Sequence, residues 1–172
     1  KRSFPFYTFG DSIYLKKIPM SICIDYIIGR FTSTGKEISR ELSEKICSTV
    51  DNHSSYVQQL AWLTWIHTDR IATESAFEAA RQDIIDQNTP LFEKQTENLT
   101  AYQMNFLRAI VSGVHSEFST KDVIMKYDLG SSANVSAVRR SLVKRELIDV
   151  EDRQIIIPDP VLEIWLRREF AR

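Results

Sequence analysis

Gly29 to Glu37 is the stretch of this sequence that looks most like a phosphate-binding loop. A working loop has four residues between its glycines and then Lys followed by Ser or Thr, whose hydroxyl holds Mg²⁺. Here five residues separate Gly29 from Gly35, and Glu37 occupies the position that needs a hydroxyl. The stretch also joins two predicted helices, whereas a working loop follows a strand. We therefore interpret it as a helix terminator.

The start of a predicted helix over 56–67 is a second place where chemistry could occur. A helix N-terminus presents free N–H groups and a positive dipole end, which favour an anion or the polar edge of a base. His53 or Tyr56 could touch adenine or sense a phosphate, and Gln58 follows in the same run. The alternative is structural: His53 and Ser54 cap the helix, while Tyr56 and Gln58 tie it to neighbours. The residues by themselves favour the structural alternative.

A predicted helix over 132–146 carries cations on its polar face. This face presents Ser136, Arg139, Arg140 and Lys144. In a DNA-binding winged helix such an element enters the major groove, where Arg pairs with guanine and Lys neutralises phosphate. The segment that follows opposes DNA binding, because it holds the acidic residues Asp149, Glu151 and Asp152.

The charge balance of residues 100–172 leaves the role of this helix open. These residues include 11 Lys and Arg against 10 Asp and Glu, and the balance of +1 is weak for a module that neutralises phosphates. A protein-docking or purely structural winged helix is the alternative to DNA binding.

Composition argues against several other classes of protein. Hydrophobic residues make up 43% of the 172 residues, enough for a packed core, and the net charge of −1 argues against bulk polyanion binding. The three histidines have no metal-ligand spacing, and no pair of catalytic carboxylates stands out, so we expect no enzyme activity in this chain. Cys23 and Cys47 are interpreted as reduced core thiols of a cytoplasmic protein. No apolar run is long enough to span a membrane.

Two regions, divided at about residue 98, are expected to position these residues in a mostly α fold. Region 1–98 should be an N-terminal strand followed by a helical bundle, with the strand or hairpin over 4–18 and helices over 22–31, 37–50, 56–67 and 74–87. Residues 88–98 either continue the last helix after Pro90 or form a linker. Region 99–172 reads helix, helix, helix, two short strands, helix, which is the order of a winged helix with a short β-wing.

Local signals indicate where several of these helices begin. Thr73 and Ser119 are expected N-caps, and Thr100 with Gln103 fits a capping box. Either Ser131 or Ser132 should cap the helix over 132–146.

The tryptophans are interpreted as core residues. The helix over 56–67 is apolar nearly all round, which predicts burial between other elements, with Trp62 and Trp65 facing neighbours. Trp165 should lock the closing helix, over 161–170, onto the winged-helix core.

Several stretches together resemble one family of ATPases. The run from His53 to Ala61 resembles the His-Pro-x-Tyr-x-Gln segment in the helical lid of archaeal-type P-loop ATPases, of the AAA+/STAND-like class, with Ser54 in place of the usual Pro. Further similar stretches are Phe6 to Ile18, Tyr26 to Lys36, Leu99 to Ile110 and Pro158 to Arg167. The resemblance covers essentially the whole chain.

The resemblance implies a division of labour. A core upstream of Lys1 would hold the phosphate loop and the acidic metal ligands, and so would bind ATP and Mg²⁺. This chain would supply the helical lid over 1–98, with His53, Tyr56 and Gln58 facing the nucleotide, and the winged helix over 99–172. Its function would be to couple nucleotide state to a partner, DNA or a protein. Two alternatives remain: a free-standing DNA-binding transcription regulator, and a protein–protein adaptor.

Overall fold

The computed structural model describes residues 17–171. Over this range the chain forms eight α-helices and one two-stranded antiparallel sheet, which confirms the mostly α class. In chain order the elements are α1 (Met20–Ser33), α2 (Arg40–Thr49), α3 (Ser54–Ile66), α4 (Glu74–Thr96), α5 (Ala101–Val111), α6 (Lys121–Tyr127), α7 (Ser132–Lys144), β1 (Asp149–Glu151), β2 (Gln154–Ile156) and α8 (Pro160–Ala171). The expected strand over 4–18 falls outside the described residues except for Lys17 and Ile18, which have no regular structure.

Helix α2 begins later than the sequence suggested. The Ser39 hydroxyl accepts a hydrogen bond from the Leu42 N–H at 3.1 Å and so caps the helix from residue 40. Glu37, expected to be helical, is extended and forms a parallel bridge with Ile71. Its N–H donates to the Arg70 carbonyl, and its carbonyl accepts from the Ala72 N–H, both at 2.8 Å. A non-local backbone pair has therefore replaced the first helical turn.

Helix α3 is not buried all round, and the expected burial of Trp62 is wrong. Val57, Leu60 and Leu63 are buried, but Trp62 is 56% exposed and Ile66 is 47% exposed. Helices α1, α2 and α4 contact α3 and leave one of its sides uncovered. Trp65 is partly buried against the core, as expected.

Helix α4 runs without interruption through Pro90. Proline removes one backbone hydrogen bond from a helix. Just before the proline, the Asn88 side-chain amide donates to the Ile84 carbonyl at 2.7 Å, and the Thr89 hydroxyl donates to the Ile85 carbonyl at 2.9 Å. Phe92, after the proline, is fully buried. Residues 88–96 therefore continue the helix and do not form a linker.

The three helices after α4 begin close to their predicted caps. Thr100 and Gln103 form the complete capping box of α5. Ser131 caps α7, because its hydroxyl accepts a hydrogen bond from the Asn134 N–H at 3.2 Å. Helix α6 differs: Thr120, and not Ser119, holds the N-cap position, and its side chain makes no capping bond.

The wing is a tight hairpin braced by a third stretch of chain. Asp149 pairs with Ile156 and Glu151 with Gln154. Asp152 and Arg153, at the turn, have φ values of 47° and 67°, the left-handed pair that a two-residue type I′ hairpin requires. Below the turn, the Ile155 N–H donates to the His115 carbonyl at 2.8 Å. A ring nitrogen of His115, Nδ1, lies 3.0 Å from the Ile155 carbonyl and completes the pair.

Helix α8 joins the two regions, because it packs on both α4 and α5. Trp165 is 5% exposed, which confirms its expected burial, and its ring centroid lies 5.8 Å from that of Phe92, so the aromatic ring it contacts belongs to α4 of the helical bundle. Arg168 reaches across to α4, where its guanidinium donates to the Asp86 carboxylate at 2.9 Å and to the Thr89 hydroxyl at 3.2 Å. The helical bundle and the winged helix are thus in direct contact.

Candidate functional site

The start of α3 is held in place by the turn before it. Asp51 and Asn52 both have left-handed backbone conformations, with φ of 48° and 52°. The Lys17 ammonium bonds the Asp51 carboxylate, and the Asn52 amide bonds the Ile18 carbonyl. These contacts fix the chain just before α1 beside the turn that leads into α3. The first N–H groups of α3 are therefore presented in a defined direction.

His53 occupies the N-cap position of α3 but does not cap with its side chain. Its ring instead lies against that of Tyr56, with centroids 5.0 Å apart and planes tilted by 43°. The capping alternative for His53 therefore holds for its backbone position alone. An exposed imidazole at a helix N-terminus is free to meet an anion.

Tyr56 connects the helical bundle to the winged helix. Its hydroxyl donates to Asp159 Oδ2 at 2.9 Å, across 103 residues of sequence. The other carboxylate oxygen, Oδ1, accepts from the N–H groups of Val161 and Leu162 at 2.9 and 3.0 Å, and so caps α8. Burial, and then the hydrogen bond to Asp159, raise the pKa of Tyr56 well above its ordinary value. Tyr56 is thus a neutral donor that ties α3 to α8, in line with the structural alternative for this residue.

Gln58 lies apart from Tyr56, since residues two apart on a helix face different directions. Gln58 is exposed and lines an open groove between α1 and α3, of about 380 Å³, which we call the α1–α3 groove. The other lining residues are Tyr26, Ile27, Arg30, Phe31, Thr34, Ala61, Trp62 and Trp65. The structure therefore brings His53 and Tyr56 together and places Gln58 elsewhere.

The α1–α3 groove was not found from the sequence. Tyr26 lies four residues after Ile22 on α1, and Trp62 lies four residues before Ile66 on α3. All four side chains are about half exposed. This i, i+4 spacing of apolar residues outside the buried stripe is the signal that could have indicated an uncovered face.

The stretch from Gly29 to Glu37, which resembles a phosphate-binding loop in sequence, is a helix terminator, as expected. Gly29 lies inside α1, Thr34 ends the helix, and Gly35 follows with φ of 75°. The Lys36 ammonium is already engaged, because it donates to the Trp65 carbonyl at 2.8 Å and to the Thr68 carbonyl. It caps the end of α3 and is not presented to a phosphate.

The polar face of α7 is fully accessible. Ser136, Arg139, Arg140 and Lys144 are all exposed, as is Arg145 at the helix end. Within residues 17–171 none of these cations forms an ion pair. The acidic wing residues Asp149, Glu151 and Asp152 are exposed as well. The domain therefore presents a cationic helix and, next in sequence, an anionic wing.

Neither cysteine has the features of a reactive thiol. Cys23 and Cys47 are buried, and both are free thiols that form no disulfide. Burial raises the pKa of the Cys47 thiol to about 11, so it stays protonated near neutral pH. Among the described residues no three His, Cys, Asp or Glu side chains cluster as metal ligands. Over that same range, no helix has the length and apolar character needed to cross a bilayer.

Comparison with known proteins agrees with this geometry. Residues 90–168 match a family model described as a probable winged helix domain, so this part of the chain is a winged helix. No curated protein sequence matches the chain.

A solved structure extends the likeness to the helical bundle. The fold is similar to that of a Walker-type ATPase of Pyrococcus abyssi, with a TM-score of 0.67 and 18% sequence identity over 88% of this chain. The chain spans 43% of the length of that ATPase. The resemblance to a winged-helix region of a P-loop ATPase is confirmed at the level of the fold.

Proposed function

We propose that this chain is the lid and winged-helix region of a larger P-loop ATPase, and that it couples the nucleotide state of the core to a partner. The fold shared with a Walker-type ATPase supports this, since the shared part is less than half of that protein. On this proposal the core that precedes the chain binds ATP and Mg²⁺ in a cytoplasmic protein. The lid contributes His53, at the start of α3, to the nucleotide side, whereas Gln58 lines the α1–α3 groove.

The hydrogen bond between Tyr56 and Asp159 carries the coupling part of the proposal. Tyr56 lies one turn from His53, where a lid would meet a nucleotide, and Asp159 caps the helix that packs on the winged-helix core. A displacement of the start of α3 therefore acts directly on the cap of α8. Coupling between sites requires such a physical connection together with two states that the ligand distinguishes.

Hydrogen exchange tests this coupling in the protein that includes the core. We expect ATP to slow amide exchange in the first turn of α8, and Tyr56→Phe to abolish that response while nucleotide is still bound. Tyr102→Phe, which changes an exposed tyrosine of α5, is the matched control and should respond like the parent protein. An unchanged α8 response in Tyr56→Phe would remove Tyr56 from the coupling path.

The chain itself is not expected to be an enzyme. Without a phosphate loop it has no means of placing the β- and γ-phosphates for transfer. Purified residues 1–172 should therefore show no ATP hydrolysis above buffer, whereas the protein with its core should hydrolyse ATP. Turnover by the 172-residue chain would overturn this assignment.

DNA binding through α7 is the second candidate function, favoured by Arg139, Arg140 and Lys144, which are exposed and form no ion pair within residues 17–171. Fluorescence anisotropy with labelled duplex should show binding that weakens steeply with salt, because phosphate neutralisation releases counterions. Replacing both Arg139 and Arg140 with Glu should abolish it. Arg70→Glu with Lys94→Glu, an equal charge change on exposed residues of the helical bundle, should preserve it. Binding that ignores salt and the α7 substitutions would favour a protein partner instead.

A further inference from the structure

Helix α7 carries cations and no acidic side chain. Its three cations, and a fourth at the C-cap position, are exposed and form no ion pair between residues 17 and 171: Arg139, Arg140, Lys144 and Arg145. Arg140 and Lys144 are four residues apart, so their side chains are neighbours on the helix surface, about 6 Å apart along its axis. Together they form a cationic row with a fixed spacing.

Strand β1 has the opposite character, with two carboxylates and no cation. Asp149 and Glu151 are two residues apart on the strand, so their side chains point to the same side, about 6.6 Å apart. Both are exposed, and neither forms an ion pair in the part of the chain that the structure describes. At the turn, the charges of Asp152 and Arg153 offset each other. Asp149 and Glu151 are therefore the acidic row of the wing.

The cationic and acidic rows do not neutralise each other within one molecule. Only three residues separate Arg145 from Asp149, yet among the described residues no ion pair joins α7 to β1. Leu147 and Ile148, in this short link, are buried and anchor it in the core. Both rows are consequently available to another molecule.

We propose that two copies of this chain associate through these rows, with α7 of each copy against β1 of the other. A two-fold axis makes both contacts at once, because a contact from the first copy to the second is repeated from the second to the first. The two rows have nearly the same spacing, about 6 and about 6.6 Å, so the two cations can meet the two carboxylates as adjacent ion pairs. Complementary charge of this kind selects the partner and fixes the register.

The surface of α7 also allows a close approach. Ser136 and Ala137, one turn before Arg140, are small and exposed, so the wing of a second copy can come near the helix backbone. Val143 is 40% exposed beside Lys144 and offers an apolar contact within the charged surface.

A second copy fits this surface better than a DNA duplex does. A duplex would meet the cations of α7 but would be repelled by Asp149 and Glu151, whereas a second copy uses both rows. The association goes beyond the proposed function and needs no nucleotide. It would also cover α7, and so would limit the second candidate function.

Sedimentation equilibrium of the 172-residue chain measures this association. At about 0.01 M salt the average mass should approach twice that of the monomer as the protein concentration rises to about 500 µM. At about 1 M salt, where charges are screened beyond about 3 Å, the chain should be monomeric. A chain that stays monomeric at low salt would overturn the proposal, and so would a dimer that ignores salt.

Charge reversal tests which residues meet. Arg140→Glu with Lys144→Glu should be monomeric at low salt, and so should Asp149→Lys with Glu151→Lys, because each contact then joins like charges. An equal mixture of the two variants should restore the doubled mass, because both contacts of the mixed dimer again join opposite charges. If the mixture of the two folded variants stays monomeric, these rows are not the contact.

A matched variant separates association from folding and from net charge. Arg70→Glu with Lys94→Glu makes the same charge change on exposed residues of the helical bundle and should associate like the parent. All three double variants should keep the melting temperature of the parent, because the substituted side chains are exposed. Loss of association in the bundle variant as well would mean that net charge, and not the two rows, controls the result.

The outcome is separable from those of the two candidate functions. If the parent is monomeric at low salt and Arg140→Glu with Lys144→Glu weakens duplex binding, α7 serves DNA and the association is wrong. Absence of ATP hydrolysis by the longer protein would remove the ATPase assignment and leave the association standing.

Discussion

Asp159 stabilises the fold through both oxygens of one carboxylate. One oxygen caps α8 and the other accepts the Tyr56 hydroxyl. The sequence predicted that Tyr56 either faces a nucleotide or contacts a neighbour. It could not identify Asp159 as that neighbour, because the two residues are 103 positions apart and no local pattern relates them.

The raised pKa of Tyr56 should make the stability of the fold depend on pH in the alkaline range. Because its pKa is raised in the folded protein, the fold holds the Tyr56 proton more tightly than the unfolded chain does. This contribution is fully present below the unfolded pKa of about 10 and is lost as the pH rises through the folded pKa. In urea titrations, Tyr56→Phe should cost about 1 kcal/mol near neutral pH.

Above about pH 10 the difference in free energy of unfolding between the parent chain and Tyr56→Phe should decrease. Only the parent has a phenol that stays protonated in the folded state and loses its proton on unfolding. Tyr102→Phe is the control and should track the parent throughout. A constant difference between parent and Tyr56→Phe across the alkaline range would contradict a raised pKa.

The tryptophans provide a matched pair for core packing. Trp165→Ala should lower the free energy of unfolding by about 3–5 kcal/mol, because the ring is buried and a cavity would remain against Phe92. Trp62→Ala should change it by less than about 0.5 kcal/mol, since that ring is largely in solvent. Chemical denaturation of the two variants gives both values. A loss of unfolding free energy in Trp62→Ala as large as that in Trp165→Ala would contradict the exposure of Trp62.

At the scale of elements, the sequence was informative where the signal is short-range. Thr100 and Gln103 contain within one turn everything that a capping box needs, and the structure has that box. At Glu37 the sequence was misleading. The local pattern predicts a helix there, but the backbone of Glu37 forms a bridge with Ile71, 34 positions later. The groove could not be predicted because it depends on how two separate helices are placed side by side.

Pro90 tests whether α4 is one helix in solution. If it is, Pro90→Ala restores a backbone donor inside the helix and should raise the free energy of unfolding by about 1–2 kcal/mol. This is the helix-interior cost of proline less the flexibility gained by the unfolded chain.

Pro158→Ala, outside any helix, is the control for the unfolded-state effect alone and should lower stability slightly. Urea denaturation of both variants measures the difference. Loss of stability in Pro90→Ala as well would indicate that residues 88–96 behave as a linker.

At the scale of the molecule, the helical bundle and the winged helix are connected at two distant points. Tyr56 bonds Asp159 at the start of α8, and Arg168 bonds Asp86 and Thr89 near its end. These bonds tie both ends of α8 to the bundle. The sequence indicated both regions but could not show that they are joined in this way, because every joining contact is non-local.

The most direct test of the account is the sequence encoded immediately ahead of Lys1. If this chain is the lid and winged-helix region of an ATPase, that sequence encodes a strand followed by Gly-x-x-x-x-Gly-Lys-Ser/Thr, the loop that binds the phosphates of ATP, with an acidic strand end beyond it to hold Mg²⁺. A start codon directly before Lys1 would contradict it, and a free-standing winged-helix regulator would then be the better account of this fold.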